Sequence, residues 1–337
     1  MYIQLKNQMK IKRYNYGTAI LSAFEYLLEN YKETFIIGQG LWSPWYVGNS
    51  MTDLDKNFGR DRVIDTPVSE SATTGIAIGA SLAGMKPIIV HPRMDFMLYA
   101  MDAIVNQAAK WSHMFGGQAN PGVTIRAIIN RGGEQGAQHS QALHAWFAHV
   151  PGLRVVMPST VVDARDLLIA SVLCKDPVIY IDDRWLYEQE ADLPPITELD
   201  LRTQKPQISL EGKDITILAS GHSSYLSRKA AEKLNKENIF PEIIDIRILN
   251  PLYIKDIILS VKKTRKLLVV DSGWTASGFS ANLLAKVVEN LEVSCLIKSP
   301  VRISLPDAPA PTSSVLEKEY YINTGNIINV VKNLIST

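Results

Sequence analysis

Three stretches carry residue types that can do proton or ligand chemistry. The first is Asp65-Thr66-Pro67-Val68-Ser69-Glu70. Glu70 follows a strand-like run and opens a helix of small residues. A carboxylate there is stabilised by the helix dipole, so it reads equally as a capping residue and as an acid–base group. The second is Gly132-Gly133-Glu134-Gln135-Gly136-Ala137-Gln138-His139-Ser140, a glycine-rich loop that follows a strand and presents His139 among polar neighbours. No Gly-Lys-Ser/Thr follows it, and its glycine spacing is not that of a dinucleotide fingerprint. Open α/β sheets place ligands at the carboxyl ends of strands, so His139 could face a ligand or simply bond to backbone. The third is Asp95-Phe96, again just past a strand.

The remaining histidines carry less. His144 and His149 lie on an aromatic segment with Trp146 and Phe147 and are expected to pack there. His91, His113 and His222 have no partner at a metal-ligand spacing, and no cluster suggests a zinc site. Arg184, in Asp182-Asp183-Arg184-Trp185-Leu186-Tyr187, could meet a substrate carboxylate, but a salt bridge to Asp182 or Asp183 is the expected role. There is no Gly-Asp-Gly followed about 25 to 30 residues later by Asn, and no other magnesium–phosphate cradle. A phosphate cofactor would therefore need help from another chain.

The elements that position these groups alternate. A helix is predicted over Asn15–Asn30, with Asn15 as its cap and Ile20, Leu21, Phe24, Leu27 and Leu28 on one face. Strands are predicted at 34–37, 87–90, 123–129, 153–157 and 178–181. Helices fall at 71–82, 99–113 and 162–174. The stretch from Glu188 to Gln207, with Pro194, Pro195 and Pro206, shows no period and reads as a linker. The pattern then restarts, with strands at 215–219, 242–246, 267–270 and 293–297 and helices at 225–234, 254–261, 278–290 and 322–334. This is α/β: two doubly wound units with parallel sheets covered on both faces. The expected boundaries are 1–195 for the first domain, 196–207 for the linker and 208–337 for the second.

Composition agrees with such a fold. Of 337 residues, 46% are hydrophobic and 20% charged, enough to bury a large core. A formal net charge of +1 argues against bulk nucleic-acid binding. The Lys262, Lys263, Arg265, Lys266 cluster suits a helix end. Cys174 and Cys295 are expected as buried thiols in a reducing compartment. Met1 to Lys12 has no signal-length apolar core, and no apolar stretch reaches about 18 residues. The expectation is a soluble, cytoplasmic protein.

Taken in order, these stretches resemble the beta subunit of the decarboxylating component of 2-oxo acid dehydrogenases, of pyruvate and branched-chain type, within the transketolase-like thiamine-diphosphate enzymes. The marks are Arg62 to Gly84, Met101 to Lys110, Ala137 to Gln141, His149 to Pro158, Glu242 to Pro251 and Pro306 to Pro311. The likeness runs from about residue 15 to the C-terminus. It implies a pyrimidine-binding domain followed by a transketolase C-terminal domain. It implies that Glu70 hydrogen-bonds a ring nitrogen of the cofactor's aminopyrimidine, that Phe96 stacks on that ring with Ser69 beside it, and that His139 orients or protonates the reacting species. Gln39, Trp42 and Gln138 would line the substrate or acceptor pocket. The resemblance also implies an alpha-type chain with the Gly-Asp-Gly…Asn motif, holding the diphosphate and Mg2+ in an α2β2 assembly, and a lipoylated acyltransferase as acyl acceptor.

One segment departs from the family pattern. Gly38-Gln39-Gly40-Leu41-Trp42-Ser43-Pro44-Trp45-Tyr46 lacks an acid usual there and gains two tryptophans and a tyrosine. Two other readings therefore stand beside the dehydrogenase. One is half of a split transketolase-like or carboligating enzyme. The other is a non-catalytic partner subunit, against which Glu70, Phe96 and His139 argue.

Overall fold

A computed structural model describes residues 13–43 and 45–336. The expectation for Met1 to Lys12 lies outside them. The chain opens with β1 (Arg13–Asn15) and α1 (Tyr16–Asn30). Asn15 caps α1 as predicted: the Thr18 N–H donates to Asn15 Oδ1 (2.8 Å), and the Asn15 N–H donates to Thr18 Oγ1 (3.0 Å). Next come β2 (Thr34–Gln39), α2 (Leu54–Phe58), β3 (Val63–Thr66), α3 (Glu70–Leu82) and β4 (Lys86–His91). After α4 (Trp111–Met114) follow β5 (Thr124–Ile129), α5 (His144–Ala148), β6 (Arg154–Val156), α6 (Val161–Leu173) and β7 (Val178–Asp183).

These strands form a seven-stranded sheet whose seventh member comes from the second half of the chain. The second half runs β8 (Glu190–Asp192), β9 (Gln207–Leu210), β10 (Ile215–Ala219), α7 (Gly221–Leu234), β11 (Pro241–Asp245) and β12 (Ile248–Asn250). It continues with α8 (Lys255–Thr264), β13 (Leu267–Trp274), α9 (Phe279–Glu289), β14 (Val301–Leu305), α10 (Ser314–Tyr320) and α11 (Thr324–Ile335). The large sheet has the order β12-β6-β7-β5-β4-β2-β3, parallel except for β12. The second sheet has the order β14-β13-β10-β11-β9, parallel except for β9. One apolar layer packs α1 and α6 on a face of the large sheet, and another packs α3 and the 96–108 helical turns on the opposite face.

The chain reverses direction across the sheet between β2 and β4. From β2 it moves outward to β3, then crosses back over β2 to β4 and continues to β5. Connections diverging from two adjacent strands leave a crevice at their carboxyl ends. Gly38 lets these strands approach closely there: a Cβ at that position would fall 2.4 Å from the Val90 carbonyl oxygen.

Three sequence expectations differ from the structure. The helix predicted over 99–113 is broken into a 3-10 turn (Phe96–Ala100), a π-helical stretch (Asp102–Ala108) and α4. The Ala109 N–H reaches back five residues to the Ile104 carbonyl (3.0 Å), the π-type bond that widens the turn. The strand expected at 293–297 is a turn at Val293–Cys295, and the edge strand is β14. Arg265 donates to the carbonyls of Ser294 and Cys295 (both 3.3 Å), which holds that segment off the ladder and leaves Cys295 only partly buried.

β12 was not foreseen. Arg247 takes a left-handed conformation (φ 52°), bending the chain after β11 so that β12 joins the first sheet. The stretch read as a linker is held against the first unit. β8 pairs with β1, Leu201 is buried, and Glu198 accepts from the Tyr26 hydroxyl (2.8 Å).

Candidate active site

The crevice at β2 and β4 contains a narrow slot. Its walls include Gly38 and Gln39 from the end of β2, Thr66, Pro67, Ser69 and Glu70 from the β3–α3 turn, and His91, Arg93 and Phe96 from the end of β4. Glu70, Phe96, Ser69 and Gln39, singled out separately in the sequence, are thus brought together. Glu70 is the first residue of the 13-residue helix α3. Ser69 does not cap the helix with its side chain. Its hydroxyl donates to the Val68 carbonyl (2.7 Å). Among the described residues, nothing in the chain bonds the Glu70 carboxylate.

The slot has further unmet capacity. Gln39 Nε2 donates to the Tyr46 hydroxyl (2.9 Å), while its Oε1 is buried without a partner. His91, beneath α3, meets the Thr74 hydroxyl (3.2 Å), and burial pushes its pKa down to about 4, so it is neutral. A carboxylate, an orphaned amide oxygen and the ring of Phe96 around one slot match the edge and face of a flat, nitrogen-bearing heterocycle. The residues present therefore fit the pyrimidine end of thiamine diphosphate.

His139 reaches this slot through Phe96. Their rings meet edge to face with centroids 5.2 Å apart. The Arg93 guanidinium donates to the His139 carbonyl (3.3 Å). Asp95 Oδ1 accepts from both the backbone N–H and the side-chain amide of Gln141 (each 3.0 Å), which pins the loop to the end of β4. Burial raises the Asp95 carboxyl, and the Gln141 bonds counter this. Asp95 is thus an anchor for the histidine loop.

Trp42 and Gln138, expected in the substrate or acceptor pocket, line neither the slot nor the cavity beside it. The Trp42 indole donates to the Val63 carbonyl on the edge strand β3 (2.9 Å), and the Arg60 guanidinium lies 4.0 Å over its ring. These contacts hold it outside the slot. Gln138 is exposed on the loop, and Gln135 of the same loop lines the neighbouring cavity instead.

Arg184 does not pair with Asp182 or Asp183. Asp182 is engaged by the buried Arg126 (3.0 and 2.9 Å), and Asp183 by Arg131. Arg184 instead donates to the Trp45 carbonyl (3.3 Å) beside the slot. Arg93 and Arg131 were not singled out in the sequence. The signal available was their position directly after predicted strands.

His144 also has a role beyond aromatic packing. Its Nε2 lies 2.8 Å from Asp271 Oδ1, across the junction of the two sheet units. Among the described residues, no three His, Cys, Asp or Glu side chains cluster as metal ligands, and no helix is long and apolar enough to cross a membrane.

The comparisons with known proteins agree with this layout. Residues 12–189 match the transketolase pyrimidine-binding domain, and residues 204–327 match the transketolase C-terminal domain. A solved structure of a split-gene transketolase, an inactive beta4 tetramer, superposes with a TM-score of 0.74 over 96% of this chain and 98% of that one. At 18% identity that likeness speaks to the fold alone. The two-domain transketolase-type class is thereby defined.

Within it, the chain is 35% identical to the mitochondrial pyruvate dehydrogenase E1 beta subunit of Dictyostelium discoideum, covering 93% of this chain and 89% of that protein. It is 38% identical to the beta subunit of the acetoin:2,6-dichlorophenolindophenol oxidoreductase of Cupriavidus necator (79% and 78% covered). It is 33% identical to the pyruvate dehydrogenase E1 beta subunit of Rhizobium meliloti, covering 89% of this chain but 65% of that longer protein. The chain belongs to this family of beta subunits.

Proposed function

We propose that the chain is the beta subunit of a thiamine-diphosphate-dependent 2-oxo acid dehydrogenase, decarboxylating a 2-oxo acid and passing the acyl group to a lipoyl acceptor. An alpha-type subunit would hold the diphosphate and Mg2+, in an α2β2 assembly. The observation that carries this reading is Glu70, unpartnered at the start of α3 and sharing one slot with Phe96 at the crossover point of the sheet.

When bound, the cofactor supplies the carbon nucleophile and electron sink that decarboxylation of a 2-oxo acid requires. This chain's residues do the rest. Glu70 would hold or release a proton at its carboxyl oxygen toward a ring nitrogen of the cofactor. Phe96 packs on the ring face and excludes water. Gln39 Oε1, buried without a partner, would accept from an amino N–H of that ring. His139, held by Phe96 and Arg93, gives or takes a proton at its imidazole nitrogen where the substrate oxygen gains charge.

The test is affinity purification of the tagged chain from its host, followed by mass spectrometry and calorimetry. The expected result is a stoichiometric alpha-type chain and a complex that binds thiamine diphosphate with Mg2+ and decarboxylates a 2-oxo acid. A lipoylated acyltransferase in the same eluate would support the lipoyl step. A complex that does not bind thiamine diphosphate, or one whose affinity for it is unmoved by Glu70→Ala, would overturn the reading.

A further inference from the structure

Beside the slot, and sharing Pro92 and Arg93 with it, lies an open cavity of about 320 Å³. Its chemistry is lopsided. Arg93, Arg131 and Arg184 line it together with Trp45, Tyr46 and Asn130, and no carboxylate does. Arg131 is neutralised by Asp183. Among the described residues, Arg93 and Arg184 donate to neutral backbone oxygens, those of His139 and Trp45, and Arg184 also lies 5.0 Å over the Tyr187 ring. Among the described residues, neither has a carboxylate at ion-pair distance. Arg184 Nη1 is buried on the Gly48 side and has no acceptor, so among the described residues the guanidinium has only its Trp45 carbonyl hydrogen bond to hold it.

The local backbone is shaped to keep this wall. At Gly48 (φ 62°) a Cβ would fall 2.4 Å from Arg184 Nη1, and at Gly40 (φ 68°) it would fall 2.3 Å from the Tyr46 ring. Only glycine leaves both side chains where they are.

We propose that this cavity binds an anionic group at the far end of the substrate, so that the preferred 2-oxo acid carries a second carboxylate or a phosphate away from the carbon that reacts. This rests on the thiamine-enzyme reading above. A guanidinium fork pairs with either anion through two parallel bonds, and Trp45 and Tyr46 provide flat surfaces for the connecting atoms. A substrate ending in a methyl or branched alkyl group would offer these two cations no anion and would set apolar atoms against them.

The test uses the assembled holoenzyme. Calorimetry compares glutarate, inorganic phosphate and butyrate. Glutarate or phosphate should bind about tenfold or more tightly than butyrate, and whichever binds identifies the anion. Arg184→Gln and Arg93→Gln should each weaken that binding about tenfold or more. Gly48→Ala, which presses on Arg184 from behind, should weaken it in the same direction. Arg184→Gln should also lower kcat/KM for 2-oxoglutarate relative to pyruvate, through KM. Equal binding of the three ligands, or anion binding indifferent to both arginine variants, overturns the proposal and leaves the thiamine reading standing. Arginine-dependent anion binding without decarboxylation of any 2-oxo acid would uphold the cavity and remove the thiamine reading.

Discussion

The ring of His139 stands edge-on to Phe96, with centroids 5.2 Å apart and planes at 83°. One residue is carried by the turn after β4, the other by the glycine-rich loop after β5. Their contact couples whatever packs on the free face of Phe96 to the position of the imidazole. Phe96→Leu keeps apolar bulk and removes the ring. It should weaken thiamine diphosphate binding to the assembled enzyme by about three- to tenfold, the worth of one aromatic pair. It should also lower kcat, because His139 loses its support. Titration calorimetry with steady-state kinetics reads both, and unchanged affinity would place the cofactor ring elsewhere.

Glu70 offers a sharper test. Glu70→Gln preserves shape and removes the ionisable proton. Turnover by the assembled enzyme should fall about 10²- to 10⁴-fold. The melting temperature should barely move, since the carboxylate is partly exposed and unpartnered among the described residues. Near-normal turnover would strip Glu70 of its acid–base role. A collapse in stability would make it structural.

Much of this site was legible because its residues sit where strands end. Glu70, Phe96 and His139 each follow a strand-like run, and parallel sheets gather such positions at one edge. Side-chain direction was not legible. Trp42 and Tyr46 are four residues apart in one loop, yet the first lies under Arg60 and the second folds over Gly40. Nor was partner choice. Asp182 and Asp183 adjoin Arg184 in sequence, but strand alternation turns them to opposite faces, where Arg126 and Arg131 claim them. β12 escaped notice because its exchange between sheets depends on the left-handed bend at Arg247, which no local pattern requires.

The buried His144–Asp271 contact ties α5 to β13. Burial pushes the Asp271 carboxyl up. The facing His144 and the N–H groups of Gly273 and Ser280 outweigh that and hold it below the usual range. A carboxyl with a lowered folded pKa contributes stability above its unfolded pKa of 3.8, and that contribution is lost as pH falls through the folded value. Asp271→Ala should destabilise the chain by about 1–3 kcal/mol at neutral pH, the cost of leaving the buried groups of His144, Gly273 and Ser280 without their acceptor. Its denaturation midpoint should fall less than that of the wild type below about pH 4. Equal acid sensitivity in the two proteins would show that this carboxyl does not govern the junction.

Asp245, at the end of β11, has the opposite sign. Burial raises it to about 6, although Arg228 (3.8 Å away) and the Ser159 hydroxyl pull the other way. Such an acid holds its proton better folded than unfolded. Its contribution is complete below the unfolded value of 3.8 and is lost as pH rises through about 6. The difference corresponds to about 3 kcal/mol. Asp245→Asn keeps a neutral side chain of the same shape, so the mutant's stability should vary less than the wild type's between about pH 4 and pH 6. Urea denaturation of both proteins across that window measures the difference. Parallel curves would mean that the Arg228 charge cancels the cost of burial and that Asp245 stays ionised throughout.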